Sequence, residues 1–158
     1  MNKSLAITAG ILLFFLSLLQ SMPAWAVQPD DVVGRWRSFR EGRHHGTIEI
    51  YKTASGTYEG KIVWGEHPGR LDEKNPDPAL RSRLLVGTVI LRGFTWQGEN
   101  DWSGGRIYDP DSGHEYRSYM RLDDDGKDMN TLRLRGYVGI SLLGRTEKWV
   151  RTAEADPN

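Results

Sequence analysis

The side chains best suited to acid–base chemistry in this sequence are glutamates that lie in predicted strands. Two carboxylates facing each other across a sugar can hydrolyse a glycosidic bond, and the candidates are Glu49, Glu59 and Glu115. Successive strand residues point to opposite faces of a sheet, which places Glu49 and Glu115 opposite the apolar residues. We therefore expect these carboxylates on a solvated face, and we predict no catalytic residue and no enzymatic activity.

Two short motifs have the composition of metal sites. His44-His45 offers two imidazoles, but adjacent residues of a strand point to opposite faces and cannot share one ion. The run Asp123-Asp124-Asp125-Gly126-Lys127-Asp128 is acidic like a calcium loop. A calcium loop with Gly126 at its sixth position would begin at Arg121, which cannot bind calcium. We predict an exposed hairpin tip here, and no metal or cofactor in the protein.

Apolar and aromatic side chains are the remaining candidates for binding. Trp96 and Trp102 are expected on the outer face, where an indole could stack on a sugar ring. Side chains on the opposite face would form an apolar cup for a small ligand. The predicted cavity residues are Ile50, Ile62, Trp64, Tyr116, Met120, Leu132 and Leu134.

The elements that must position these side chains are strands, because no long segment has the 3.6-residue period of a helix. Gly, Asn, Asp and Pro separate the apolar segments, and four clusters of such residues predict hairpin turns. The predicted strands are 33–39, 47–53, 57–64, 85–95, 102–108, 115–122, 131–138 and 145–152. The fold class is therefore all-β, a single antiparallel up-and-down barrel of about eight strands.

Alternation within the strands assigns an inner and an outer face. Tyr116, Ser118, Met120 and Leu122 share one face of their strand. Arginines occupy much of the opposite face, as expected where a sheet meets solvent. A barrel of this size either fills its interior with side chains or holds one small ligand, and the sequence leaves both possibilities open.

The two ends of the barrel sequence carry residues suited to closing it. Gly34 and Trp36 open the first strand, and Trp149 and Arg151 lie in the last. A guanidinium stacked on an indole would stabilise the joint between these strands. This arrangement resembles the opening and closing signature of lipocalins and related calycins.

The longest predicted connection, residues 65–83, could fold over one mouth of the barrel as a lid. Its candidate residues are Asp72, Asn75, Asp77, Arg81 and Arg83. Alternatively this is a structural loop, in which Asp77 pairs with Arg81 or Arg83.

The amino terminus has the pattern of a secretory signal, with Lys3, an apolar run over residues 5–19 and the small-residue motif Ala24-Trp25-Ala26. We predict a signal peptide of residues 1–26, a lead-in of residues 27–32, a barrel domain of residues 33–152 and a disordered tail of residues 153–158. Cleavage after Ala26 would release a periplasmic or secreted protein without stable membrane insertion.

Composition narrows the possible partners further. The chain has no cysteine, which excludes disulfides, thiolate metal sites and lipid-modified cysteine. Its 21 basic and 21 acidic residues give a net charge of zero, so there is no overall basic character for binding nucleic acid.

Four sequence blocks resemble the bacterial domain of unknown function family 2147 (DUF2147) over about residues 33–151. The blocks are Asp72-x-x-Asn75-Pro76-Asp77-Pro78, Gly104-Gly105-x-Ile107-Tyr108-Asp109-Pro110-x-x-Gly113, Arg135-Gly136-Tyr137-Val138-Gly139-Ile140 and Leu143-Gly144-Arg145-Thr146. The resemblance implies an exported protein with a lipocalin-like barrel, for which ligand binding is a candidate role, and it transfers no catalytic residue. Leu85 stands where the family pattern has proline.

Together these patterns predict an exported barrel that binds a small apolar or amphipathic ligand in the cell envelope. The alternative is an envelope module that binds a glycan or a protein through its outer surface around a solid core. A hydrolase is less favoured, because it would need carboxylates or histidines clustered in one pocket. The oligomeric state stays open.

Overall fold

A computed structural model of the protein describes residues 26–139, 144–154 and 156. The predicted signal peptide lies outside these residues except for Ala26, and so do residues 155, 157 and 158 of the predicted tail. Within the part of the chain that the structure describes, no helix is both long and apolar enough to cross a bilayer.

Eight antiparallel strands form a closed barrel in which each strand pairs with its neighbours in sequence and the last returns to the first. The strands are β1 (Gly34–Arg40), β2 (Arg43–Lys52), β3 (Tyr58–Gly65), β4 (Val89–Gly98), β5 (Asp101–Asp109), β6 (His114–Asp123), β7 (Asp128–Tyr137) and β8 (Gly144–Thr152). Short 3-10 helices span Pro29–Val32, Pro78–Leu80 and Asp124–Gly126. The predicted all-β, up-and-down barrel of eight strands is confirmed.

One strand boundary differs because an apolar segment belongs to a loop. The predicted fourth strand starts at residue 85, whereas β4 starts at Val89. Leu85 is buried, but its backbone N–H donates to the carbonyl of Arg70 in the long loop. The apolar residues before Val89 therefore reflect packing of the loop end. The sequence pattern alone cannot distinguish such a buried loop end from a strand.

Alternation of the strands sorts the core from the surface as predicted. On β6, Ser118, Met120 and Leu122 are buried, whereas Arg117 and Arg121 are exposed. Leu132 and Leu134 on β7 are buried in the same way. The barrel interior is thus the main hydrophobic core.

The predicted outward position of Trp102 is wrong. Trp102 is fully buried and lies opposite Met120, which also points inward. The pairing of β5 with β6 shifts register between Trp102 and Gly105, and such a bulge reverses the face of the residues beyond it. Trp96 is half-buried, with its ring centroid 4.6 Å from that of Trp102.

Residues 27–32, predicted as a lead-in, cover one end of the barrel, which we call the closed end. Val32 is fully buried, and its carbonyl accepts a hydrogen bond from Trp36 Nε1 at 2.9 Å. Trp102 Nε1 donates to the carbonyl of Pro29 at 2.9 Å. Two buried indoles therefore satisfy their N–H groups by holding this segment in place.

The barrel closes where β1 pairs with β8, with Trp36 opposite Arg151. The guanidinium carbon of Arg151 lies 4.2 Å from the centroid of the Trp36 ring. Gly34 has a φ of 135°, and a Cβ at this position would lie 3.0 Å from Arg151 Nη1. Glycine thus leaves room for the guanidinium. Trp149 is also buried, opposite Leu132.

Asp156 contacts side chains of β1 and β2. Thr47 is buried, and its hydroxyl donates to Asp156 Oδ1 at 2.7 Å. Arg37 Nε lies 3.8 Å from the same carboxylate oxygen. Asp156, within the predicted tail, thus has a hydrogen bond to β2 and lies near an arginine of β1.

We predict that Trp36→Ala lowers the free energy of unfolding by about 3–5 kcal/mol, the range for truncating a large buried aromatic side chain. Urea unfolding followed by circular dichroism measures the change. Val150→Ala, an apolar residue of the same joint that is 42% exposed, should cost less than about 0.5 kcal/mol. Equal small losses for both variants would show that Trp36 does not stabilise the closure.

Candidate ligand-binding cavity

A cavity of about 500 Å³ occupies the half of the barrel opposite the closed end. Its wall is largely apolar, with side chains from β2, β3, β4, β5, β6, β7 and β8 and from the end of the long loop. These apolar residues are Ile48, Ile62, Leu85, Val86, Ile90, Ile107, Tyr116, Leu134 and Trp149. Charged residues lie at its open end, which we call the mouth.

Small residues explain why this half of the barrel is hollow. Gly46 and Gly65 lie opposite each other on β2 and β3, and Gly136 on β7 lines the same cavity. A Cβ at Gly65 would meet only Val86, at 4.0 Å. In contrast, a Cβ at Gly60 would lie 2.9 Å from Leu91. Gly65 therefore leaves empty volume, whereas Gly60 is already packed, and a Cβ at Gly46 or Gly136 would contact neighbours at 3.4 Å and 3.3 Å.

The predicted cavity residues divide into two levels along the barrel axis. Ile62, Tyr116 and Leu134 line the cavity. The predicted lining role is wrong for three others, because they lie in the packed core. These are Ile50, Met120 and Leu132, each no more than 1% exposed. Alternation identifies inward residues, but the height of each residue depends on strand stagger.

Trp64, the remaining predicted cavity residue, also makes contacts on the outer side of the barrel. It borders the cavity, but a bulge between β2 and β3 pairs it with Thr47. Thr47 lies opposite Arg37 on the outer side of β1. The Trp64 ring stacks on His44 with centroids 4.4 Å apart, so Trp64 contacts both the cavity and His44.

Glu147 is an inward carboxylate that the sequence analysis did not single out. It lies opposite Leu134 and lines the cavity. Its Oε2 accepts a hydrogen bond from Trp149 Nε1 at 3.2 Å, and its Oε1 lies 3.5 Å from Arg145 Nη2. Counting in steps of two from Arg151 and Trp149 would have placed Glu147 and Arg145 on the inner face.

The mouth is held by a carboxylate between two arginines. Arg70 Nη2 donates to Asp111 Oδ1 at 2.6 Å, and Arg40 Nη2 contacts Asp111 Oδ2. Burial raises the pKa of Asp111, but the hydrogen bonds and charges of Arg70 and Arg40 outweigh burial and lower it overall. This cluster links β1 to the long loop and to the β5–β6 turn.

The long loop is anchored by one buried carboxylate. Asp72 is fully buried and accepts hydrogen bonds from the Tyr108 hydroxyl at 2.5 Å, Asn75 Nδ2 at 2.8 Å and Arg83 Nη2 at 2.8 Å. Burial opposes ionisation, but these three donors outweigh it and lower the pKa of Asp72. Burial and the Asp72 carboxylate raise the pKa of Tyr108 to about 12, so its hydroxyl remains a donor.

The residues predicted as a lid form hydrogen bonds and an ion pair with other residues of the loop, beside the mouth. Asp77 Oδ1 accepts from the N–H of Ala79 and caps the 3-10 helix Pro78–Leu80. Arg81 Nε donates to the carbonyl of Asn75 at 2.8 Å. The suggested pairing of Asp77 with Arg81 or Arg83 is wrong, because Arg83 pairs with Asp72. The loop contributes its two ends to the cavity, through Arg70 and Leu85.

The two glutamates weighed as a catalytic pair, Glu49 and Glu115, lie in separate ion pairs. Glu49 pairs with Arg35 and Lys61, and Glu115 pairs with Arg92 and Arg106. Among the described residues, no group of three or more His, Asp or Glu is arranged to hold a metal ion.

We predict that Asp72→Asn lowers the free energy of unfolding by about 2 kcal/mol at pH 7, because it leaves buried donors poorly paired. The pKa of Asp72 is lower in the folded state than its unfolded value of about 3.9. Its stabilisation is therefore full above about pH 4 and is lost as pH falls through the folded pKa.

The gap in stability between wild type and Asp72→Asn should thus narrow on acidification below about pH 4. Urea unfolding of both proteins at pH 7 and below about pH 4 measures this difference in stability. Asp77→Asn is the matched control, since asparagine also caps a helix well. A gap that stays constant with pH would contradict this account of Asp72.

Comparison with solved structures supports the architecture. The chain is similar to protein HP1028 from Helicobacter pylori, described as belonging to the lipocalin family. The two share 20% sequence identity, with a TM-score of 0.66 over 78% of this chain and 84% of the other. This likeness shows a lipocalin-like fold. No curated protein matches the sequence.

A family model matches the barrel itself. Its description is "Uncharacterized protein conserved in bacteria (DUF2147)", and it matches residues 34–151, from the first residue of β1 to the closure residue Arg151. The match covers all eight strands and well over half of the sequence. The chain therefore belongs to the DUF2147 family of bacterial proteins.

Proposed function

We propose that this protein binds one small amphipathic molecule in the barrel cavity. The observation that carries the proposal is a cavity of about 500 Å³ with an apolar wall and a charged mouth. Small-molecule sites in proteins are typically concave, mostly apolar and furnished with few polar groups. The apolar part of the ligand would pack against Ile62, Ile107 and Leu134, and its polar end would lie near Arg145 and Glu147.

The apolar wall can supply useful affinity. Each buried methylene contributes about 0.8 kcal/mol. A ligand that buries about ten methylenes gains roughly 8 kcal/mol before the cost of immobilisation is subtracted, so about micromolar binding is the upper limit for such a ligand. The Arg145–Glu147 pair would then select among ligands by their head groups rather than supply most of the binding energy.

The other candidate functions have less support. Binding of a glycan by Trp102 is not possible, since Trp102 is fully buried. The alternative of an outer-surface binding module with a solid core also loses its premise, because the half of the barrel next to the mouth is hollow. For an enzyme, Glu49 and Glu115 would have to act together, yet each sits in its own outer ion pair. We therefore propose binding without catalysis.

We further propose that the protein acts in the cell envelope. The support is the predicted signal peptide of residues 1–26, with its apolar run and Ala24-Trp25-Ala26 motif. A carrier of amphipathic molecules would find such ligands there, either periplasmically or outside the cell.

A cavity-filling substitution tests the binding site. We expect Gly65→Leu to weaken binding of a fluorescent alkyl-chain probe at least tenfold, since the new side chain would enter the cavity where a Cβ meets only Val86. Fluorescence titration gives the Kd, and urea unfolding checks stability. Gly69→Leu adds the same atoms at an exposed loop glycine with no neighbour within 4 Å. Equal binding by wild type and both variants would place the probe outside the cavity.

Head-group preference tests the role of Glu147. Replacing Glu147 by Gln removes a negative charge beside the proposed polar end, which is worth about 1 kcal/mol to a charge 4 Å away in water. We expect Glu147→Gln to bind a carboxylate-headed alkyl probe about fivefold more tightly and a trimethylammonium-headed probe about fivefold more weakly. Glu49→Gln, on the outer face, should change neither affinity. If Glu147→Gln and Glu49→Gln bound both probes with the same affinity, Glu147 would not belong to the binding site.

A further inference from the structure

The neutral net charge of the chain hides a strongly basic surface. The outer sides of strands β4 to β8 carry seven basic side chains, which we call the arginine face. Its members are Arg92, Arg106, Arg117, Arg121, Arg133, Arg135 and Lys148. Three acidic side chains, Glu115, Asp101 and Asp123, pair with it.

Three of these arginines lie in direct cross-strand register. Arg92 on β4 lies opposite Arg106 on β5, and Arg106 lies opposite Arg117 on β6. Like charges directly opposite each other destabilise a sheet. Adjacent strands are about 4.8 Å apart, so three positive charges fall within a width of roughly 10 Å.

Two of the three arginines, Arg92 and Arg106, share one carboxylate. Glu115 Oε1 lies 3.6 Å from Arg92 Nη1, and Glu115 Oε2 lies 3.8 Å from Arg106 Nη1. Across residues 26–139, 144–154 and 156, Arg117 has no ion-pair partner. The Arg92, Arg106 and Glu115 side chains are 44%, 59% and 41% exposed, so an external anion can reach the row.

A second row of basic side chains on the same face has more carboxylate partners than the first. Arg121, Arg133 and Lys148 lie opposite one another on β6, β7 and β8. Asp123 accepts from Lys148 Nζ at 2.9 Å and from Arg133, and these contacts strongly lower the pKa of Asp123. Arg121 lies 3.3 Å from Asp101. The unbalanced charge is therefore greatest at the Arg92–Arg106–Arg117 row.

Tyrosines and an exposed apolar residue lie next to this row. Arg117 lies opposite Tyr137, and the rings of Tyr119 and Tyr137 are 6.3 Å apart. Val138, the next residue, is 66% exposed. Basic side chains together with tyrosine are typical of surfaces that meet the head-group layer of a membrane.

We propose that the arginine face docks the protein on an anionic phospholipid membrane. Lipid phosphates would neutralise the Arg92–Arg106–Arg117 row, and the Tyr119–Tyr137 pair would lie at the head-group level. The contact is peripheral and electrostatic. It goes beyond ligand binding, because it requires nothing of the cavity.

The opposite side of the barrel provides a matched control. On β1 to β3, Arg35 and Lys61 flank Glu49 at 3.6 Å and 3.0 Å, and Lys52 pairs with Asp30 at 2.8 Å. Arg35, Lys52 and Lys61 are 45%, 44% and 41% exposed. Their exposure is close to that of the arginine row, but each of these cations contacts a carboxylate.

The test compares two triple variants of the chain from Val27 onward, which contains every strand of the barrel. One combines Arg92→Gln, Arg106→Gln and Arg117→Gln, and the other combines Arg35→Gln, Lys52→Gln and Lys61→Gln. Co-sedimentation with phosphatidylcholine vesicles that contain phosphatidylglycerol measures partitioning. Each basic residue near an anionic surface contributes about 1 kcal/mol, so the first triple should lose roughly 100-fold in partitioning. The control triple should stay within about threefold of wild type.

Salt and lipid composition complete the experiment. Wild-type partitioning should fall as salt rises and should vanish with pure phosphatidylcholine vesicles. Urea unfolding establishes that both triples remain folded, and single Arg117→Gln serves if the triple does not. Equal losses for the two triples, or equal binding to uncharged vesicles, would overturn the proposal. Binding to DNA or heparin without binding to anionic vesicles would overturn it too.

Discussion

The Arg151 guanidinium holds the barrel together at the point where its first and last strands meet. It stacks on Trp36 at 4.2 Å and donates to the carbonyls of Val33 at 3.0 Å, Met129 at 2.9 Å and Asp31. Burial lowers the pKa of Arg151, yet an arginine pKa starts so high that it stays charged. One side chain on β8 thus ties together β1, the beginning of β7 and the segment that covers the closed end.

The cavity depends on this closure. Because Val32, Trp36 and Trp102 fill the closed end, the hollow half has a packed floor. Gly65 leaves empty volume in the half next to the mouth, and Asp111 and Asp72 brace the mouth from the loop side. Closure, packing and volume are therefore three consequences of where large and small residues fall along the barrel axis.

The strands and their two faces were predictable, because hydrophobic alternation and turn residues are local signals. The bulges that redirect Trp64 and Trp102 were not, since they depend on how two distant strands align. The pairing of Asp72 with Arg83 and Tyr108 likewise needs the folded loop. Glu147 was within reach of simple alternation. The arginine face could be recognised only from the cross-strand register of the folded barrel. The composition conceals it, because basic and acidic residues over the whole chain sum to a net charge of zero.

Native mass spectrometry of the protein purified from its own host tests most directly whether the cavity is a binding site. The account predicts a mass above that of the polypeptide by one small molecule, released when the barrel unfolds in acid or organic solvent and identifiable as amphipathic. A mass equal to that of the polypeptide alone in every preparation, together with failure of alkyl-chain probes to bind, would contradict the account and leave the cavity without a ligand.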